Sequence, residues 1–267
     1  MTDETGGERV TRTTRPVVEN TATPRTYSAA VRSLASSQKS SKGAPAYSRY
    51  VNRPLGRRFA ALAYVLRLTP NMVTSVSALV TFAGIAMIAL LPPTPLFAVL
   101  TSVLLILGYA LDSADGQLAR LRGGGSMVGE WLDHIVDAIK SSALHAAVLI
   151  GWFRFLDLDP VWLLVPLGYT IVSAVFFFGM ILTDQLRRLN RGSSAMILKH
   201  DGRTSLAYSL AVIPADYGLL CLVFLFAWIS PFFVGLYTAL FVANALILAA
   251  SLVRWFRAVS RLGQGAA

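Results

Sequence analysis

The sequence predicts an all-α integral membrane protein, with six transmembrane helices preceded by an interfacial amphipathic helix. Three observations carry this. Of the 267 residues, 55% are hydrophobic and only 14% are charged. The apolar residues gather in runs of about 20, the length that crosses a hydrocarbon core of about 30 Å. Pro or Gly clusters separate most of these runs. The 24 Lys and Arg against 14 Asp and Glu give a net charge of +10, which in a soluble chain would suggest nucleic acid. Here the basic residues lie beside apolar runs, which fits the positive-inside pattern and contact with anionic head groups better than a nucleic-acid surface. The single cysteine, Cys221, excludes an intrachain disulfide, and one Cys with three scattered His speaks against a zinc site. Cys221 reads as a small buried hydrophobe.

Residues 1–45 are rich in Thr, Ser, Arg and Gly, and no apolar stretch follows the early charges as a signal peptide would require. They are expected to form a disordered cytosolic tail. Residues 46–68 place Leu55, Phe59, Leu62, Ala63 and Leu66 on one helical face, with Arg53, Arg57 and Arg58 elsewhere, the pattern of a helix lying in the interface. A six-helix catalytic domain over 69–258 follows, with spans near 72–91, 95–119, 129–152, 161–184, 207–229 and 232–254, and then a second tail over 259–267. Arg49, Arg53, Arg57, Arg58 and Arg67 precede the first span. Arg120 and Arg122 lie between the second and third. Arg187, Arg188, Arg191, Lys199 and Arg203 lie between the fourth and fifth, and Arg254, Arg257 and Arg261 follow the sixth. The connections at the other end carry almost no basic residue. This alternation predicts a multi-pass cell-membrane protein with both termini in the cytosol.

The same end of the chain carries a group of acids. Asp112 and Asp115 are three residues apart and Asp133 and Asp137 four apart, so each pair shares a helix face, and Gly123-Gly124-Gly125 lets the two helices converge. Carboxylates at a membrane edge need neutralising. Oxygen donors without Cys or a His pair favour hard cations, Mg²⁺ or Mn²⁺, and two divalent ions would cancel four negative charges. Such a pair of ions polarises phosphoryl oxygens and stabilises a leaving oxygen. Gly116 and Gly129 would let backbone approach a phosphate or nucleotide, and Arg120 would add charge-assisted hydrogen bonds.

The full spacing is Asp112-x-x-Asp115-Gly116-x-x-Ala119-Arg120, eight residues, Gly129-x-x-x-Asp133-x-x-x-Asp137. It resembles the signature of the CDP-alcohol phosphotransferase (CDP-alcohol phosphatidyltransferase) family, which includes phosphatidylglycerophosphate, phosphatidylserine and phosphatidylinositol phosphate synthases. The chain is also similar to that family in its six spans and in Pro70-Asn71-x-x-Thr74. The resemblance implies that Asp112, Asp115, Asp133 and Asp137 bind two divalent ions, with Asp137 also the catalytic base. It implies that Asn71, Thr74, Gly116, Ala119, Arg120 and Gly129 surround the nucleotide. The implied reaction, in phospholipid biosynthesis, is attack by an acceptor hydroxyl on the β-phosphorus of a CDP-alcohol with release of CMP, by a homodimer.

CDP-diacylglycerol is the leading donor and a small polar or phosphorylated alcohol the acceptor, for which Arg187, Arg188, Arg191, Lys199 and Arg203 are cationic candidates. The end of the fourth span reads Leu182-Thr183-Asp184-Gln185-Leu186-Arg187-Arg188, not the Arg-Ala-Glu-like run usual in phosphatidylinositol phosphate and phosphatidylglycerophosphate synthases. Asn52-Arg53-Pro54 instead looks like members that condense CDP-inositol with inositol phosphate, which keeps that reaction as an alternative. Intramembrane prenyl transfer also uses aspartates and Mg²⁺, but expects two separate Asp-rich motifs. A cation transporter should place its acids near mid-membrane, often within an internal repeat, and neither is found. Elsewhere, one helical step turns His134 about 100° from the metal face. His145 reads as a satisfied polar group between helices, and Asp216 as an acid that either orients a loop arginine or acceptor or caps and packs a helix.

Overall fold

The computed structural model describes residues 26–36, 45–191 and 213–264, and among these every regular element is helical. Among the described residues, five helices are long and apolar enough to cross a bilayer. The first is α3, Pro70–Leu90, and the second α4, Pro95–Leu121. Each starts with the same device: a threonine, Thr69 or Thr94, accepts a backbone N–H three residues on, and a proline follows where no N–H is needed. The third is α5, Met127–Phe155. A short turn over Pro160–Leu163, capped by Asp159, leads into α6, Leu164–Arg191.

The expected span at 207–229 falls partly outside the described residues. From Ile213 onward it is a broken chain of short helices: a turn at Ile213–Ala215, α7 at Tyr217–Val223, and a second turn at Phe224–Phe226. Pro214 lacks the N–H that a continuous helix requires. Asp216 then caps α7 by accepting from Gly218 N at 3.1 Å. The last helix, α8, is Ser230–Gln264. It continues through residues 259–264, which the sequence reading assigned to a tail, because Phe256, Arg257, Ser260 and Arg261 extend its helical pattern without a breaker.

Among the described residues, two α-helices and a π-helical turn precede the spans. Residues 27–36 correct the expectation of a disordered tail over 1–45. Tyr27–Ser36 is a helix, α1, whose Ala30 and Leu34 lie at i, i+4 and bury against α2 and α4. Ten residues would not hold a helix alone, and tertiary packing supplies the stability. A π-helical turn at Ser48–Asn52 leads into α2, Arg53–Val65. α2 docks on α4 with its small residues Gly56, Ala60, Ala61 and Ala63. Leu62, Val65 and Leu66 stay exposed, so much of the expected apolar stripe faces away from the protein. Arg67, at φ 58°, stands where glycine is usual, and Leu68 N donates to Ala63 O at 2.9 Å to close the helix end.

α3 lies against both α4 and α5. Small residues set these approaches. A side chain on Gly108 would overlap Thr81 of α3, and a Cβ on Gly151 would come within 2.5 Å of the Ile88 carbonyl oxygen. Close backbone contact through glycine is the usual route to tight helix packing where lipid replaces water. A second core surrounds His145, whose Nδ1 pairs with Tyr237 Oη at 2.6 Å and whose ring stacks on Tyr169. Gly151→Ala is expected to push α5 off α3 and cost about 1–3 kcal/mol, lowering the unfolding midpoint in detergent by on the order of 5 °C. A midpoint equal to wild type would rule out this contact.

Candidate active site

The acidic segment folds as a helical hairpin. α4 ends with Gly123 N donating to Arg120 O at 3.1 Å and Gly124 N to Ala119 O at 2.9 Å. Gly123 has φ +95°, a conformation that a side chain would strain, so the glycine run is needed for the reversal. Ser126 then caps α5 by accepting from Gly129 N at 3.0 Å. From this turn the two helices run along opposite flanks of α3, which packs against both, and their aspartates converge.

Asp112, Asp133 and Asp137 come together, each offering an oxygen such that all three lie within 4.8 Å of one another. Asp115, one turn closer to the hairpin, is 6% exposed and accepts a hydrogen bond from Thr74 Oγ1 of α3 at 2.5 Å. The deep side of the cluster is closed by Lys140. Its Nζ donates to Asp112 Oδ1 at 2.5 Å and to Asp137 Oδ1 at 3.2 Å, and it lies 3.5 Å from Ser77 Oγ. The donor set, convergent carboxylate oxygens, fits a hard divalent cation, and Lys140 supplies part of the counter-charge these carboxylates need.

An open cavity of about 900 Å³ adjoins this cluster. Asn71, Thr74, Gly116, Ala119, Arg120 and Gly129 all line it, together with Asp115 and Asp133. Residues from three elements that sequence spacing could relate only by resemblance thus share one surface. Gly129 is a close approach: a Cβ there would sit 3.0 Å from Asn71 Oδ1. Arg188 of α6 also lines the cavity, held by Glu130 Oε1 at 2.7 Å and Asp184 Oδ2 at 2.8 Å. A second hollow, about 570 Å³, runs between α5 and α6 and shares Met127, Glu130, His134 and Arg188 with the first. Its other walls are mostly apolar, including Trp131, Ile135, Phe177, Phe178 and Ile181.

Known proteins resemble this chain in sequence. The profile described as CDP-alcohol phosphatidyltransferase matches residues 67–256. The chain belongs to that family. A phosphatidylinositol phosphate synthase of Corynebacterium glutamicum is 40% identical over 100 residues, 38% of this chain. The match spans 43% of that relative's length.

Against this family background, some sequence expectations change. His134, read as turned away from the metal face, stays outside the three-carboxylate group but lines both hollows, with Nε2 3.7 Å from Glu130 and Nδ1 4.0 Å from Asp133. Asp216 takes the capping role, and its Oδ2 also accepts from Ser48 N at 3.2 Å, tying α7 to the entry of α2. Among the five cationic candidates, Arg188 reaches the cavity. Arg187 is half-buried on α6; the side chain of Arg191, and Lys199 and Arg203, lie outside the described residues.

Sequence reasoning missed Lys140 and Glu130. The signal for Lys140 was present, as a lysine inside an apolar span, three residues past Asp137 and on its helix face. Gly129→Val is expected to fill the gap between Asn71 and the start of α5. It should weaken CMP binding by about tenfold, roughly 1.4 kcal/mol, in equilibrium dialysis against the purified protein. Unchanged binding would mean that the nucleotide lies elsewhere.

Proposed function

We propose that this chain transfers a substituted phosphate from a CDP-alcohol to an alcohol acceptor in phospholipid biosynthesis, releasing CMP. The observation that carries the reading is that one cavity is lined by Asn71, Thr74, Gly116, Ala119, Arg120 and Gly129 and opens beside the convergent carboxylates. CDP-diacylglycerol is favoured over CDP-inositol by the mostly apolar hollow between α5 and α6, which meets the cavity at Met127 and His134 and would suit acyl chains. The name of the partial relative, a phosphatidylinositol phosphate synthase, favours a phosphorylated polyol as acceptor.

In this reading Asp112, Asp115, Asp133 and Asp137 hold two divalent ions, Mg²⁺ or Mn²⁺. When bound, such ions stabilise negative charge on the transferring phosphoryl group and on the departing CMP oxygen. Asn71, Arg120 and the bare backbone at Gly116 and Gly129 grip the nucleotide. Arg188, already oriented by Glu130 and Asp184, lines the cavity and is the cation read as meeting an anionic acceptor. The acceptor oxygen bonds to the β-phosphorus as the bond from that phosphorus to the CMP oxygen breaks. Asp137 takes the hydroxyl proton.

The protein is read as a multi-pass enzyme of the cell membrane, with termini and site on the cytosolic side, as the grouping of Arg120, Arg122, Arg187 and Arg188 near the hairpin supports. It is further read as a homodimer. Leu164, Leu167, Ile171, Val175 and Phe178 form an exposed apolar stripe on α6 available for pairing.

Purified protein with Mn²⁺, CDP-diacylglycerol and inositol phosphate is expected to release CMP, and chelation should abolish release until Mg²⁺ or Mn²⁺ is restored. Asp137→Asn is expected to lower kcat by about 10²–10⁴-fold. Absence of CMP release across a panel of CDP-alcohols and acceptors would refute the reaction class, and full activity in Asp137→Asn would refute the base assignment.

A further inference from the structure

Lys140 has no part in the reading above, yet it is among the most constrained polar groups of the site. Its side chain is 8% exposed. An ammonium carries three N–H donors, and three oxygens surround this one: Asp112 Oδ1, Asp137 Oδ1 and Ser77 Oγ. Ser77 is itself buried and fixed, donating to Gly108 O at 2.8 Å, where α3 and α4 approach most closely. The ammonium is therefore held in place by three helices. Asp112 and Asp137, which it grips, are also two of the three carboxylates that converge for a metal ion.

Charge then limits what the cluster can hold. Four aspartates carry four negative charges, and Lys140 leaves three uncompensated. One divalent ion leaves a single negative charge; a second would make the cluster net positive in a partly buried setting, where like charges a few ångströms apart repel strongly. A nucleotide diphosphate in the adjoining cavity would restore the balance.

We propose that Lys140 is a positioning residue that fixes Asp112 and Asp137 and makes binding of the second divalent ion depend on a bound nucleotide phosphate. This rests on the two-ion reading of the site. Lys140 holds the two carboxylates ready before any ion arrives, and its charge keeps the site from filling until the donor's phosphates enter. Donor and second ion thus load together, so the fully charged pair of ions assembles only around a substrate.

The test is Mn²⁺ binding to the purified full-length protein, counted by electron paramagnetic resonance with and without cytidine diphosphate. Wild type is expected to bind one Mn²⁺ tightly alone and a second when cytidine diphosphate is present. Lys140→Gln and Lys140→Met, which remove the charge at similar length, are expected to bind two without nucleotide, the weaker ion at least about tenfold tighter than in wild type. Two equally tight ions on nucleotide-free wild type would overturn the proposal while leaving the two-ion site standing. So would unchanged isotherms in folded Lys140 variants. If neither variant folds, the nucleotide dependence of wild type decides alone. No Mn²⁺ on wild type under either condition would overturn the metal reading and this proposal with it.

Discussion

Four carboxylates held on two facing helices repel one another, and the rest of the structure depends on how that repulsion is met. Partly buried charges of one sign are tolerated only when counter-charge or hydrogen bonds are supplied locally. Here Thr74 donates to Asp115, Lys140 to Asp112 and Asp137, and the remaining oxygens of Asp112, Asp133 and Asp137 converge as a ligand set for cations. These partners come from α3 and α5, so the chemistry requires α3 to lie against both helices of the acidic hairpin. The glycine contacts at Gly108, one helical turn from Asp112, and at Gly151, farther along α5, provide that closeness.

The surroundings are graded along the hairpin. At its deep end the cluster is closed by Lys140 and Ser77. At its shallow end Asp115 and Asp133 face an open cavity lined also by Asn71 and Arg120, which meets a mostly apolar hollow at Met127, Glu130, His134 and Arg188. A molecule with a charged head and apolar tails could extend across both. The Glu130–Arg188 ion pair, with His134 beside it, stands where the two hollows meet, so it can orient a substrate at the boundary between its polar and apolar parts.

Much of this was legible in the sequence, for physical reasons. Long apolar runs have few structural solutions, and periodic acids beside them have few roles, so the hairpin could be named from spacing, while the family resemblance implied the six further residues that line the cavity. What depended on three-dimensional packing could not. The short helix Tyr27–Ser36 has too little local propensity to stand out from a polar tail, and only burial of Ala30 and Leu34 stabilises it. The stripe of α2 was read as facing the interface, where Leu62 and Leu66 are exposed, but its contact with the protein, made through the small residues Gly56, Ala60 and Ala61, has no periodic signal of its own. The span near 207–229 looked continuous by hydropathy, while Pro214 and Asp216 divide its described part into short helices. Lys140 was visible as a letter, but its meaning lay in the approach of Asp112 from another helix.

The central claim is that the carboxylates of Asp112, Asp115, Asp133 and Asp137 form a two-cation centre beside a nucleotide cavity. A crystal structure grown with Mn²⁺ and cytidine diphosphate, with anomalous scattering recorded from the metal, tests it most directly. Two anomalous peaks bridged by these four side chains, with the diphosphate in the cavity lined by Asn71 and Arg120, are the expected result. Peaks elsewhere, or a nucleotide bound away from the hairpin, would contradict it.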